Sequence, residues 1–395
     1  MKMIILLKEL RKIFDIRLVI GIIVFTVLIY NMFMEITRHP CGGQCTDSSY
    51  DIPFAAKLVD EFGPKIEFDE WYKLENKEKQ IEEKIEKEIA GNEILNSNGI
   101  TTLKELYEKK NELYEKASLN ENEKLLEKKI DEFTLYNEKT GKMFFELQHL
   151  ENIKEFRGII YGVSKKDVAK LDNRDAKRMT KQYVSLLPEG VLYIFEEDMK
   201  YMSALIIIIS FVLICAYQIR ERLSGVMPLY VSTKVGRKIF SVQLFASIIA
   251  VLIVSALQLG IYTLMYYPKG LAIFWSCENW SCARNSFLFD GISFGTYMFI
   301  FEMAVLMFCV FGAIFVYCIA RLAENYIWGI IFSIICGTGM FFTVKNLTYE
   351  MFDYELNTGM SVYIKPIMIV IICVAMCLIA KIRINRDKAR DIYQM

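Results

Sequence analysis

Six apolar runs constrain this 395-residue chain more than anything else in it. They cover residues 18–36, 202–219, 239–266, 293–320, 326–344 and 364–382. Crossing the hydrocarbon core of a bilayer takes about 20 residues at 1.5 Å rise each, and buried helices of soluble proteins rarely sustain such a length. The runs therefore predict six transmembrane helices and exclude a soluble single-domain enzyme. Charge is balanced, with 47 Lys+Arg against 47 Asp+Glu, so bulk attraction gives no case for nucleic acid. The balance hides a skew: residues 37–200 carry about seven more acids than bases.

Basic residues near the span ends set the expected orientation. Lys2, Lys8, Arg11, Lys12 and Arg17 precede the first span. Arg220, Arg222, Lys234, Arg237 and Lys238 follow the second, and Lys381, Arg383, Arg386, Lys388 and Arg390 follow the last. The alternate loops hold only Lys269, Arg284 and Lys345. The expectation is a multi-pass protein of the cell membrane with both termini cytoplasmic and residues 37–200 outside. Residues 1–17 place Ile4, Leu7, Leu10, Ile13 and Phe14 on one helical face, as in a helix lying in the inner interface; a cytoplasmic extension of the first span is the alternative. No small-x-small site follows the first run, so it reads as an uncleaved anchor. Residues 201–383 then hold spans two to six, with a cytoplasmic loop at 220–238, and residues 384–395 form a cytoplasmic tail.

The segment 37–200 reads as mostly helical. Ile81, Ile85 and Ile89 repeat at i, i+4, i+8 within an expected helix over 66–90, which Asn96-Ser97-Asn98-Gly99 ends. Thr102 with Glu105 forms a capping box for a second helix. Leu125, Leu126, Ile130 and Phe133 mark a third helix, and Ser164 with Asp167 caps a fourth. The narrow stripes suggest a helical hairpin or antiparallel coiled coil. Both a solvated spacer and a gate or substrate-recognising domain fit this pattern.

Chemistry-bearing motifs are scarce. No phosphate loop, H-E-x-x-H or G-x-S-x-G occurs, so ATP hydrolysis, cofactor and metal sites are not expected on this chain. Cys41, Cys45, Cys277 and Cys282 fall outside by this topology and are candidates for disulfides, with a metal site including His39 or free thiols as alternatives. Within the spans, Glu302 is an acid that must be neutral, paired or water-facing. Either it lines a polar path or it hydrogen-bonds Gln258, Ser255 or Thr263 of the third span.

The loop after the second span reads Glu221-Arg222-Leu223-Ser224-Gly225-Val226-Met227-Pro228-Leu229-Tyr230-Val231-Ser232-Thr233-Lys234-Val235-Gly236-Arg237. It is an apolar patch between basic flanks, with glycines that permit sharp turns and a form suited to docking a cytoplasmic partner. Glu221, Gly225, Leu229, Ser232, Thr233 and Arg237 resemble, in order, the coupling region of exporter-type (type 2) ATP-binding-cassette permeases. Lys234 departs from the Pro often found there, and Pro228 is an addition. The resemblance implies an all-α permease subunit. Its partners would be separate ATPase subunits and a second permease, as homodimer or heterodimer, in the lipid membrane. It also implies that Glu221, Gly225, Val226, Leu229, Tyr230 and Arg237 meet the ATPase. The implied cargo is amphipathic or lipid-like: a peptide, antibiotic or lipid. Two other classes compete: a non-transporting scaffold or receptor with a helical ectodomain, and a membrane enzyme, which would need polar residues converging inside the bundle.

Overall fold

A computed structural model describes residues 2–38, 48–116, 118, 120–162, 183–225, 239–279 and 292–320, with four isolated positions beyond (331, 375, 378 and 382). The chain divides into two units. One comprises residues 1–40, 192–272 and 284–395, and the other comprises residues 41–191 and 273–283.

The first unit opens with α1 (Lys2–Ile13), α2 (Ile16–Phe33) and the short α3 (Glu35–Arg38). Asp15 separates α1 from α2 and accepts the Arg17 backbone N–H at 2.9 Å, a cap that lets α2 start with only two residues between it and α1. The expected single apolar face of α1 is split. Ile13 is buried, whereas Ile4 and Leu7 are exposed.

The second unit is built from α4 (Ser48–Phe62), β1 (Lys65–Glu67), α5 (Tyr72–Ala90), α6 (Glu93–Ser97), α7 (Leu103–Glu115), α8 (Glu121–Asp131), α9 (Glu138–Gly162) and β2 (Tyr183–Ser185). The helix expected from residue 66 starts later. Residues 65–67 instead pair antiparallel with β2, because Ile66 is buried between two exposed neighbours, an alternation that suits a strand. Along α5, Leu74, Ile81, Ile85 and Ile89 are buried and pack toward α9, where Leu147, Leu150 and Ile153 are buried too. The Thr102–Glu105 capping box forms as expected, and Asn120 with Glu123 forms a second one. Between α8 and α9 a π turn spans Glu132–Tyr136. A Cβ at Gly141 would sit 3.0 Å from the Leu135 carbonyl oxygen, so this corner closes tightly only around glycine. The cap expected at Ser164 lies outside the described residues.

Electrostatics tighten the α7–α8 hairpin. Lys116 reaches both Glu112 (2.8 Å) and Glu123 (2.9 Å). Hydrogen bonds from Lys109 and Lys116 hold the Glu112 carboxyl down at about 2. Its folded value is depressed, so this contribution is present above the ordinary carboxylate range and is lost as pH falls from that range through about 2.

The chain then enters three long helices: α10 (Glu189–Leu223), α11 (Ile239–Met265) and α12 (Phe294–Ala320). Helix α10 runs 35 residues, roughly 50 Å at the α-helical rise and longer than the hydrocarbon core. The charges at 196–200 had suggested a later start, but Glu197 and Lys200 pair one turn apart and stay within the helix. Four helices among the described residues are long and apolar enough to cross a membrane. Of the fifth and sixth expected spans, only positions 331, 375, 378 and 382 are among the described residues.

One buried ion pair offers a stability test in the second unit. Lys154 on α9 contacts both oxygens of Glu78 at 2.6 Å, and Glu78 is 8% exposed. Lys154→Met strands that carboxylate and is expected to cost about 3 kcal/mol, the low end for a broken buried pair because the lysine is part-exposed. The double variant with Glu78→Leu should recover most of the loss, read by thermal unfolding of the full chain in detergent.

Candidate functional site

Where α1, the end of α10 and the start of α11 meet, charged and polar side chains gather in the interior. Glu9 of α1 is 3% exposed and Glu221 of α10 is 7% exposed. Neither carboxylate could be left alone there. Lys12, one turn beyond Glu9, reaches Glu9 at 2.9 Å and Glu221 at 3.0 Å. Tyr217, one turn before Glu221, donates its hydroxyl to Glu9. From α11, Gln243 donates its amide to the second oxygen of Glu221 at 3.2 Å. A further link closes the rim. Arg220 pairs with Asp15 at 2.5 Å and donates to the Lys12 carbonyl at 3.0 Å, satisfying a carbonyl at the C-terminal end of α1. One turn before Gln243 on α11, the Phe240 carbonyl accepts the Tyr317 hydroxyl of α12 at 2.9 Å.

Burial alone would push the Lys12 ammonium down. The hydrogen bonds and charges of Glu9 and Glu221 reverse that and hold it above its ordinary value. The sign follows: a raised folded value stabilises at every pH below the ordinary lysine range and is lost only as strongly alkaline pH is approached. Lys12 is therefore a permanent bridge at neutral pH. Two carboxylates share one ammonium, and the arrangement offers no nucleophile with a base. Among the described residues no group of three or more His, Cys, Asp or Glu could hold a metal. What the cluster does structurally is join three helices near their ends through side-chain links.

Of the residues the sequence singled out, Glu221 lies at the centre of this cluster, its carboxylate turned to α1 and α11. Gly225 follows the end of α10 with φ +66 and is exposed, the left-handed residue that stops a helix. Ser224 closes the last turn, its N–H donating to the Arg220 carbonyl at 3.0 Å and its hydroxyl to that of Glu221 at 2.7 Å. Val226, Leu229, Tyr230 and Arg237 lie outside the described residues. Thr263 donates to Glu302, one of the three partners expected for it. Gln258 donates instead to Thr26 of α2 at 2.9 Å. Cys277 is a buried free thiol whose value burial pushes up to about 12, while Cys41, Cys45 and Cys282 lie outside the described residues. Glu9 and Gln243 escaped the sequence reading, and Lys12 and Arg220 were legible only as topology charges. The available signal was Glu9 itself, a lone acid within the basic, apolar stretch 2–12.

A multi-pass helical membrane protein whose span ends are locked to an N-terminal helix is the class these features define. Comparison with known families narrows it: residues 16–352 match the family model described as ABC-2 family transporter protein, and the chain belongs to that family. No curated protein and no solved structure matches it. Membership makes it a membrane permease of an ATP-binding-cassette transporter, a class associated with an ABC ATPase.

The bridge predicts non-additive energetics. Lys12→Ala leaves two buried carboxylates without a counter-charge, whereas Lys12→Ala with Glu221→Gln leaves one. The double-mutant cycle, measured by thermal unfolding, should return a coupling of about 1–2 kcal/mol.

Proposed function

We propose that this chain is the membrane-spanning subunit of an ATP-driven exporter that moves an amphipathic or lipid-like substrate: a peptide, an antibiotic or a lipid. ATP is bound and hydrolysed on a separate subunit. Two permease chains, identical or sister, form the path. Both termini and the loop 220–238 face the cytoplasm, and the helical segment after the first span lies outside. Cys41, Cys45, Cys277 and Cys282 then share an oxidising compartment.

The observation that carries this reading is the cluster joining Lys12, Glu221 and Gln243. Glu221 opens the loop that resembles a coupling region, and Gln243 follows that loop in the chain. A motor pushing on residues 226–238 applies force to the end of α10 and the start of α11, and the Lys12 bridge passes it to α1. ATP-dependent closure thereby biases a bistable packing of the spans. Val226, Leu229 and Tyr230 supply the apolar contacts to the motor and Arg237 a polar one. Glu221 backs the loop from inside through Lys12 and Gln243. Gly225 lets the chain leave the helix at the required angle. Gln258 and Glu302 are polar groups within the spans, held by Thr26 and Thr263, and they serve the path rather than the motor.

The test is co-purification of the full chain with candidate ABC ATPases, followed by ATP hydrolysis in proteoliposomes. Leu229→Asp should abolish association or lower permease-dependent hydrolysis about tenfold or more, a charge in an apolar contact being strongly unfavourable. Hydrolysis that ignores this substitution in an intact complex overturns the coupling assignment. Failure of every candidate ATPase to bind favours a scaffold.

A further inference from the structure

Helix α2 is held to its unit by little packing. Only 6% of its span window is buried, against 78% for α10. Ile20, Ile23, Val27 and Leu28 are all exposed. Most of its attachments are polar. Beside the Asp15–Arg220 pair at one end, Thr26 accepts from Gln258 and Tyr30 donates to the Gln258 carbonyl at 3.2 Å. Toward the far end Tyr30 also donates to the Met202 sulfur at 3.7 Å and Phe33 stacks on Tyr201 with ring centroids 5.3 Å apart, and there the helix breaks. Met34 is extended (φ −80, ψ 121) and α3 restarts at Glu35.

A restarted helix presents backbone N–H groups with no intrahelical partner. Met34 stands at the capping position and has no side-chain oxygen to receive them. The cap comes from α10 instead. Asp198, 0% exposed, accepts the N–H of Glu35 on Oδ1 at 2.5 Å and that of Ile36 on Oδ2 at 3.1 Å. Tyr262 of α11 donates to the same Oδ2 at 3.2 Å and lies 3.1 Å from the Tyr266 hydroxyl. One carboxylate thus joins the α2–α3 break, α10 and α11.

We infer that Asp198 is a positioning residue that works as a latch, capping α3 in one arrangement of the spans and releasing it when α2 moves against α10 during the transport cycle. A cap supplied by residue 34 itself would travel with the helix and register nothing. A cap borrowed from a helix more than 160 residues away exists only while the two are in register. Capping distinguishes the two arrangements, and an N-cap interaction is large enough to shift such a two-state balance about fivefold or more. Because α2 buries so little, its displacement disturbs few other contacts. The inference rests on the transport reading above.

The experiment is hydrogen exchange on the full chain in nanodiscs, alone and in complex with its ATPase trapped by a non-hydrolysable ATP analogue. In the chain alone the Glu35 and Ile36 amides should exchange slowly, and Asp198→Ala should speed them about tenfold or more. Nucleotide trapping of the wild-type complex should speed the same two amides comparably and leave those in the middle of α2 unchanged. If Asp198→Ala does not fold, Asp198→Asn and Tyr262→Phe carry the test, with a smaller gain in exchange for each. A merely structural cap would be lost in the variants but unmoved by nucleotide, and that result overturns the latch. Protection that persists in Asp198→Ala overturns it as well. Absence of any nucleotide effect anywhere in the complex overturns the transport reading and the release step with it, while the variants still judge the capping contact by itself.

Discussion

Two buried carboxylates and the part-exposed ammonium that bridges them set the terms for the membrane unit. Glu9 and Glu221 are both buried, and neither position is tenable without Lys12 between them. Burying such a cluster gains little stability over an apolar core of the same shape. Its consequence is geometric. The salt bridges and the Tyr217 and Gln243 hydrogen bonds have few alternative partners in a low-dielectric interior, so α1, α10 and α11 meet in one arrangement.

Helix α11 extends that constraint through the unit. Over 27 residues, roughly 40 Å, it turns Gln243, Ser247, Ser255, Gln258 and Tyr262 inward and Phe245, Leu257, Ile261 and Leu264 outward. A helix with a polar inner stripe and an apolar outer face suits lipid surroundings, where inward polar groups find partners and outward ones would not. Gln243 meets Glu221 at one end, Gln258 meets Thr26 in the middle, and Tyr262 meets Asp198 at the other. One helix therefore touches both the junction with α1 and α10 and the break between α2 and α3.

Much of the secondary structure was legible locally. The third and fourth spans appear within about a residue of their expected limits, because apolar run length is a property of neighbouring residues. The Thr102 capping box was equally visible, its two partners lying three residues apart. Strand β1 was not, since its pairing with Tyr183–Ser185 joins segments more than 100 residues apart and its helical-looking neighbours hid it. The early start of α10 was missed for a related reason: charges at 196–198 and 200 read as a domain boundary, although Lys200, Glu196 and Asp198 each find a partner within the unit. Of the candidate site, Glu221 and Gly225 stood out by motif, and Glu9 and Gln243 did not.

The amino-acid sequence alone determined that this chain lives in a membrane, where most of its described spans run, and that residues 221–237 resemble a coupling region. Those are statements about runs and spacings of adjacent residues, governed by helix rise and the thickness of a bilayer. Tertiary structure decided that Glu221 faces Lys12 across 209 positions and that Asp198 caps a helix 163 positions earlier. No periodicity encodes such pairings. They arise because a buried charge must find a partner, and which partner is within reach depends on how the helices pack.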